Sequence, residues 1–288
     1  MKIRLVDVDS KIPNIALMKL SAYHKAQGDD VAFYNPMLDK DRVDLLYASK
    51  VFSDTPDYLY YPDCPTIKAG SGYDLKAKLP EKIEHCQPDY GIYKSDAAMG
   101  FCTRGCIRNC KFCIVPEKEG HIQAVADIYE FWTGQKQLML MDNNLTAMPD
   151  YFERIVKQCI KEKVRVDFSQ GLDIRLINAD MAKLLSKTRT YKQIHFAWDD
   201  IHIESAVRKG IDTLEKNGVK KYRLMFYVLI GFNSTPEEDR YRVETLHGLG
   251  VDPFVMPFDR TDEYQRNFTR WVNHKATFKT IPFEDYTG

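Results

Sequence analysis

The sequence predicts an α/β protein in three parts. A small Rossmann-like or flavodoxin-like unit spans residues 1–94, an open (β/α)6 partial TIM barrel spans 95–260, and a tail, 261–288, packs on the barrel. Three observations carry this expectation. Short apolar runs alternate with stretches of helical periodicity along the chain, the pattern of a parallel sheet. From residue 95 onward the alternation repeats six times. The 288 residues are 44% hydrophobic and 28% charged, enough apolar material for a sizeable core without disulfides or a structural metal.

Residues 2–8, rich in Ile, Leu and Val, form the first strand. Ile12 to Gln27 is a helix with Ile15, Leu17, Met18, Leu20 and Ala22 at helical spacing, stopped by Gly28. Val31–Tyr34 is the second strand; Leu45–Ala48 and Thr66–Ala69 are weaker candidates. Ala97–Phe101 opens the second unit. Later strands are expected at Gln137–Asp142, Val164–Gln170, Gln193–Trp198, Tyr222–Ile230 and Val251–Pro257. Helices separate them at Ala124–Trp132, Tyr151–Glu162, Ala179–Leu185, Ile203–Asn217 and Pro236–Leu249. In such barrels the loops at the C-terminal ends of strands carry the chemistry.

Lys+Arg and Asp+Glu both number 41, so a globally basic nucleic-acid coat is excluded while a local basic patch is not. Mean hydropathy is −0.42, and no run approaches the roughly 20 apolar residues of a membrane span, so no membrane partner is expected. The opening Met1-Lys2-Ile3-Arg4-Leu5-Val6-Asp7 brings an acid where a signal peptide would be apolar, and a cytoplasmic protein is expected.

Four of the seven cysteines, Cys102, Cys106, Cys110 and Cys113, fall within twelve residues. An odd, clustered count without a secretory signal argues against a disulfide framework and for metal ligation. Zinc sites usually place two Cys pairs around a longer spacer, which is missing here. The tight spacing suits a compact loop around an iron–sulfur cluster.

Cys106-x3-Cys110-x2-Cys113, with Phe112 before the last cysteine, resembles the signature of the radical S-adenosylmethionine (SAM) superfamily. The flanking Thr103-Arg104-Gly105 and Ile114–Gly120 are similar to the subgroup with an N-terminal cobalamin-binding-like domain. The resemblance implies the same partial barrel, a [4Fe–4S] cluster on Cys106, Cys110 and Cys113, and S-adenosyl-L-methionine as cofactor. It also implies a one-electron reductant of flavodoxin or ferredoxin type and hydrogen abstraction from an unidentified small-molecule or macromolecular substrate. Cys102 is an extra, closing the preceding strand. Cobalamin is disfavoured, because the cobalt-ligating histidine of Asp-x-His-x-x-Gly has no counterpart. Gly70-Ser71-Gly72 either matches the glycine pair of that domain or is a plain turn. Methylthiolation is disfavoured too, because only Cys64 and Cys86 lie in the N-terminal unit and a further cluster would need three cysteines there.

By position, the resemblance assigns SAM contacts to polar strand ends. These are Asp142, Asn143 and Asn144 for the amino group, Ser169, Asp173 and Arg175 for the carboxylate or substrate, Asp199 for the ribose, and Gly231 for the adenine. Each has a plainer alternative: Asx turns, a structural ion pair, an acidic turn, and an ordinary helix N-terminus at Ser234-Thr235-Pro236-Glu237-Glu238. The tail interleaves Arg266, Arg270, Lys275 and Lys279 with Phe268, Trp271 and Phe278. It is read either as an amphipathic helix closing the barrel or as a nucleic-acid surface with stacking platforms. A different class of reading is a non-catalytic zinc protein using all four clustered cysteines, with that tail binding nucleic acid.

Overall fold

The computed structural model describes residues 1–39 and 42–287. It is a mixed α/β fold with parallel-strand sheets. In the N-terminal sheet, strands β1 (Lys2–Asp7), β2 (Asp30–Phe33), β3 (Leu45–Ser49) and β4 (Thr66–Ala69) lie in the order β2-β1-β3-β4, all parallel. Helix α1 (Ile15–Ala26) is capped by Asn14, whose side chain accepts the Ala16 and Leu17 N–H groups. Ile3, Leu5, Leu17 and Leu20 form a small core on one side of this sheet, while Val6, Leu46 and Ala48 form another. A short helix α2 (Glu81–Glu84) follows.

The second half holds two three-stranded parallel sheets. One is β5 (Ala97–Gly100), β8 (Gln137–Leu140) and β9 (Arg165–Phe168); the other is β10 (Ile194–Ala197), β11 (Leu224–Ile230) and β12 (Asp252–Pro257). A single parallel bridge, Val166 to Thr190, joins their facing edges. Helices α4 (Pro149–Lys161), α5 (Ala179–Lys187), α6 (Glu204–Lys216) and α7 (Pro236–Gly248) alternate with these strands. The helices cover one face of the sheets, where Leu138, Val166, Ile194, Phe196, Phe226, Val228 and Val255 are buried with Phe152, Ile155, Leu185, Ile211 and Val243. The other face of β9, β10 and β11 carries Asp167, His195 and Tyr227, which are only partly buried.

Observed strands end within a few residues of the expected ones, but the first crossover differs. No α-helix forms over 124–132; that stretch holds the last residue of a short strand, Ala124, and a 3-10 turn, Ile128–Glu130. The reason is local. The Val125 and Ala126 N–H groups both donate to the Cys102 carbonyl (2.9 and 3.2 Å), and Asp127 accepts the Tyr129 N–H, so the backbone is committed to closing a loop. A short antiparallel pair, β6 (Thr103–Arg104) with β7 (Gln123–Ala124), and helix α3 (Val115–Lys118) complete that loop.

The tail forms α8 (Glu263–Asn273) and α9 (Lys275–Thr280). Phe268 and Trp271 are buried in the main core, with Phe278 and Phe283 packed edge-on against Trp271 or Phe268. The Trp271 indole N–H donates to the Ile281 carbonyl at 2.8 Å, and Asn273 exchanges two hydrogen bonds with Val255 on the edge strand β12. The tail aromatics are therefore core, not stacking platforms, and the nucleic-acid reading of the tail is corrected. Among the described residues, no helix is long and apolar enough to cross a membrane.

Truncating Trp271 to Ala removes this buried contact set. The expected loss is about 3–5 kcal/mol in urea unfolding; a loss below ~1 kcal/mol would mean the tail is not part of the core.

Candidate functional site

The site grows from the end of β5. The chain leaves the sheet at Cys102, which is fully buried, and enters a loop that returns at Ala124. Gly105 turns the chain with φ +84°, and a Cβ there would stand 2.5 Å from the His121 carbonyl oxygen. Glycine is required on both counts. The Cys106 N–H donates to the Gly120 carbonyl at 3.2 Å, and the Cys113 N–H to the Cys110 carbonyl at 3.0 Å. Cys106, Cys110 and Cys113 stand half-exposed on this loop, while Cys102 lies below them in the core.

The end of β8 holds the loop with three consecutive side chains. The Asp142 carboxylate accepts the Cys102 N–H (3.3 Å), the Thr103 N–H (2.5 Å) and the Thr103 hydroxyl (2.6 Å). Asn143 Oδ1 accepts the Gly105 N–H at 3.0 Å. Asn144 Nδ2 points its amide at the Cys106 sulfur, 3.3 Å away, and the Asn144 oxygen accepts from Thr146. Asp142, expected with Asn143 and Asn144 to contact an amino group, is buried and accepts these three hydrogen bonds from the cysteine loop. Burial pushes its carboxyl up to about 6, against the pull of its donors on Thr103 and Cys102.

Two further strand ends grip the loop. Asp173, after β9, accepts from Arg108 of the loop (2.9 Å) and from both nitrogens of Arg175 (2.6 and 3.0 Å). Burial would raise the Asp173 carboxyl, but Arg175 and then Arg108 hold it below the usual carboxylate range. Asp173 and Arg175 are thus paired with each other and with the loop. On the β11 side, Phe112 meets Phe232 edge-on at 5.5 Å, and Phe232 meets Phe258 at 4.9 Å. Gly231 has φ +75°, and a Cβ there would collide with the buried Gln265 side chain at 2.2 Å. Its neighbour α8 supplies a reason for the glycine that needs no ligand.

Asp199, after β10, accepts the Leu229 N–H at 3.0 Å; burial raises its carboxyl, opposed by that bond and by Arg242 and Arg175. Arg242 is fully buried and ties the two strand ends, donating to the carbonyls of Trp198 and Leu229 and to Asp239. Ser169 spends its hydroxyl on the Leu140 carbonyl.

Three thiols on one loop are the type of ligand that iron–sulfur clusters take. Burial pushes the Cys110 and Cys113 thiols up, and neighbouring thiols add to this: each thiolate resists forming beside the others, a load that bound iron removes. Arg175 opposes the shift at Cys110. Sulfur hydrogen bonds are in place from the Arg108 N–H and Asn144 to Cys106 (both 3.3 Å) and from the Val115 N–H to Cys113 (3.5 Å). Such bonds tune cluster potentials. Among the described residues, no three His, Cys, Asp or Glu side chains converge on a position for one metal ion. Cys102 is sunk in the core near Cys159 and Asp142, away from the four-thiol arrangement that a zinc site needs.

In the N-terminal unit, Gly70 and Gly72 are used by the fold. A Cβ on either would lie 2.4–2.6 Å from the carbonyl oxygens of Lys50 or Phe52. The close approach of two loops explains the pair, and no step is drawn through cobalamin.

Sequence reasoning missed one polar group. Asp167, His195 and Tyr227 lie together on the less buried face of β9, β10 and β11. Asp167 Oδ1 is 3.6 Å from His195 Nδ1 and has no hydrogen-bond partner. The Tyr227 hydroxyl donates to the Ser169 carbonyl (2.9 Å) and lies 3.2 Å from His195 Nδ1. Burial raises the Asp167 carboxyl and lowers the His195 imidazole. The available signal was a polar residue between two core positions, Val166-Asp167-Phe168 and Ile194-His195-Phe196.

The Asp142 carboxyl gives a pH test. Its folded value lies above the ordinary value near 3.8, so the native state holds the extra proton between about pH 4 and 6. Its contribution to stability is therefore present at pH 4, falls as pH rises to about 6, and is flat above. Comparing urea unfolding of the wild type and Asp142→Asn from pH 4 to 7, the wild type should lose on the order of 3 kcal/mol relative to the variant. Parallel pH profiles would contradict the buried, strained carboxylate.

No protein-family model matches this sequence, and no curated protein matches it.

Proposed function

We propose that this chain is a radical SAM enzyme, with the two three-stranded sheets forming an open (β/α)6 partial TIM barrel over 95–260, the order β2-β1-β3-β4 forming a Rossmann-like domain over 1–94, and a cytoplasmic location. The observation that carries the reading is Cys106-x3-Cys110-x2-Cys113 on a strand-end loop where the Cys106 and Cys113 sulfurs already receive N–H donors. Cys106, Cys110 and Cys113 would hold the cluster. A [4Fe–4S] cluster held there, reduced by an external one-electron donor, would supply the electron for reductive cleavage of SAM.

The chain's own residues do the rest. Asn144 and the Arg108 and Val115 N–H groups stabilise charge on the sulfurs. Arg175 brings positive charge beside Cys110, and Asp199 stands on the same side, within electrostatic reach of Cys110 and Cys113. Asp199 has one hydrogen bond from the backbone and capacity for more, so it suits a hydroxyl donor such as a ribose diol. Asp167, with its unpartnered oxygen, and His195 are the groups on this face suited to receive a polar hydrogen of the substrate.

The test is anaerobic reconstitution with iron and sulfide, followed by reduction and addition of SAM. The wild type should turn brown and release 5′-deoxyadenosine, and Cys110→Ala should release at least about 100-fold less. His195→Ala should still release it, since His195 touches no cysteine. A colourless protein carrying one zinc, or equal release from Cys110→Ala, would overturn the reading.

A further inference from the structure

A group of exposed cations lies at the opposite ends of the same strands, away from the cysteine loop. A cleft of about 790 Å³ opens there between the starts of β8, β9 and β11. Lys136, Lys163, Arg165 and Arg189 line it, all exposed, together with Tyr222, which is 74% exposed. The backbone sets these cations side by side. The Arg165 N–H donates to the Lys136 carbonyl at 3.0 Å, and the Val166 N–H to the Arg189 carbonyl at 2.9 Å. They therefore lead adjacent chains, separated by about one strand spacing of ~5 Å.

Among the described residues, none of the four is paired with a carboxylate, whereas nearby Arg154, Lys157 and Lys183 all are. The one acid lining the cleft, Glu162, accepts from the Tyr129 hydroxyl and faces Lys161 at 3.7 Å. A fifth cation, Arg223, donates to the carbonyls of Leu185, Ser186 and Thr188 and is spoken for. Unpaired like charges on neighbouring strands repel one another. Lys163 adds an independent observation. It stands in the left-handed region at φ +54°, a helix-terminating position that glycine or asparagine would fill with less strain. A lysine kept there at a conformational penalty adds its charge to the same cleft.

We propose that this cleft binds single-stranded nucleic acid, with the four cations on successive phosphates and Tyr222 stacking on an unpaired base. Phosphodiesters are the anions that answer a row of unpaired cations, and an exposed aromatic beside them recognises a base face that a duplex hides. The proposal does not rest on the cysteine-loop chemistry and holds for the protein without its cluster.

The test is fluorescence anisotropy of a labelled oligouridine of about twelve residues with the full chain, over a salt series. Saturable binding is expected, with log K falling against log salt by a slope of roughly −3 for four phosphates. Lys136→Glu with Arg165→Glu should weaken binding by at least about tenfold at ~100 mM salt. Lys163→Gly should weaken it about two- to threefold while raising the melting temperature, so that lost binding cannot be lost folding. Arg266→Ala with Arg270→Ala, on α8, should leave it unchanged. Absence of saturable binding, indifference to the cleft substitutions, or tighter binding of a duplex of equal length would overturn the proposal. So would full competition by inorganic triphosphate at equal phosphate concentration, which would mark a small-anion site.

Discussion

The Asp142 carboxylate sits beneath the cysteine loop with three donors converging on it, two of them backbone N–H groups of the strand next door. Such groups must be paired when buried, and leaving them open costs about 1–3 kcal/mol each. Asp142 pairs them across β5 and β8 just where the chain leaves the sheet. Everything above depends on that junction: the Cys102 carbonyl is free to receive Val125 and Ala126, the loop closes on itself, and the next two side chains reach Gly105 and Cys106. One buried carboxylate thus sets the starting direction of a 22-residue excursion, Cys102 to Gln123, counting both ends.

Higher up, the grip passes from backbone pairing to charge and packing. Arg108 reaches across to Asp173, and Phe112 leans on Phe232. The three clamps come from β8, β9 and β11, so the loop is fastened on several sides rather than along one hinge. Arg175 serves two partners here. It neutralises Asp173 and lends positive potential to Cys110, which makes a thiolate easier to form at the least supported of the three sulfurs.

Much of the fold was legible because it rests on local periodicity. The strands β1 and β12 and the helices α4 to α6 follow from apolar spacing, and α7 from its capped start at Thr235-Pro236-Glu237-Glu238. The failure at 124–132 has the opposite origin: Ala124 pairs with Thr103, and the Val125 and Ala126 N–H groups answer a carbonyl more than twenty residues earlier. The cysteines were legible because spacing within a loop is itself a sequence property. The strand-end residues were legible as a group, but their protein partners were not. Asp142 as a support for the loop, and Gly231 as room for Gln265, depend on partners distant in sequence. Asp167 and His195 escaped notice because a single polar residue in an apolar run resembles noise until two strands place it beside another.

The hydrogen bonds that shape the cysteine loop have a consequence for the order of assembly. Zinc fingers take their fold from the metal and unravel without it. Here the contour of the loop comes from Asp142, Asn143, the β6–β7 rung and the aromatic contact, all of them protein groups already in place. The half-exposed sulfurs sit at its outer side. On the proposed function, polypeptide folding and cluster assembly would be separate events: protein contacts alone set the contour of the loop, so the chain would fold first and be loaded afterwards.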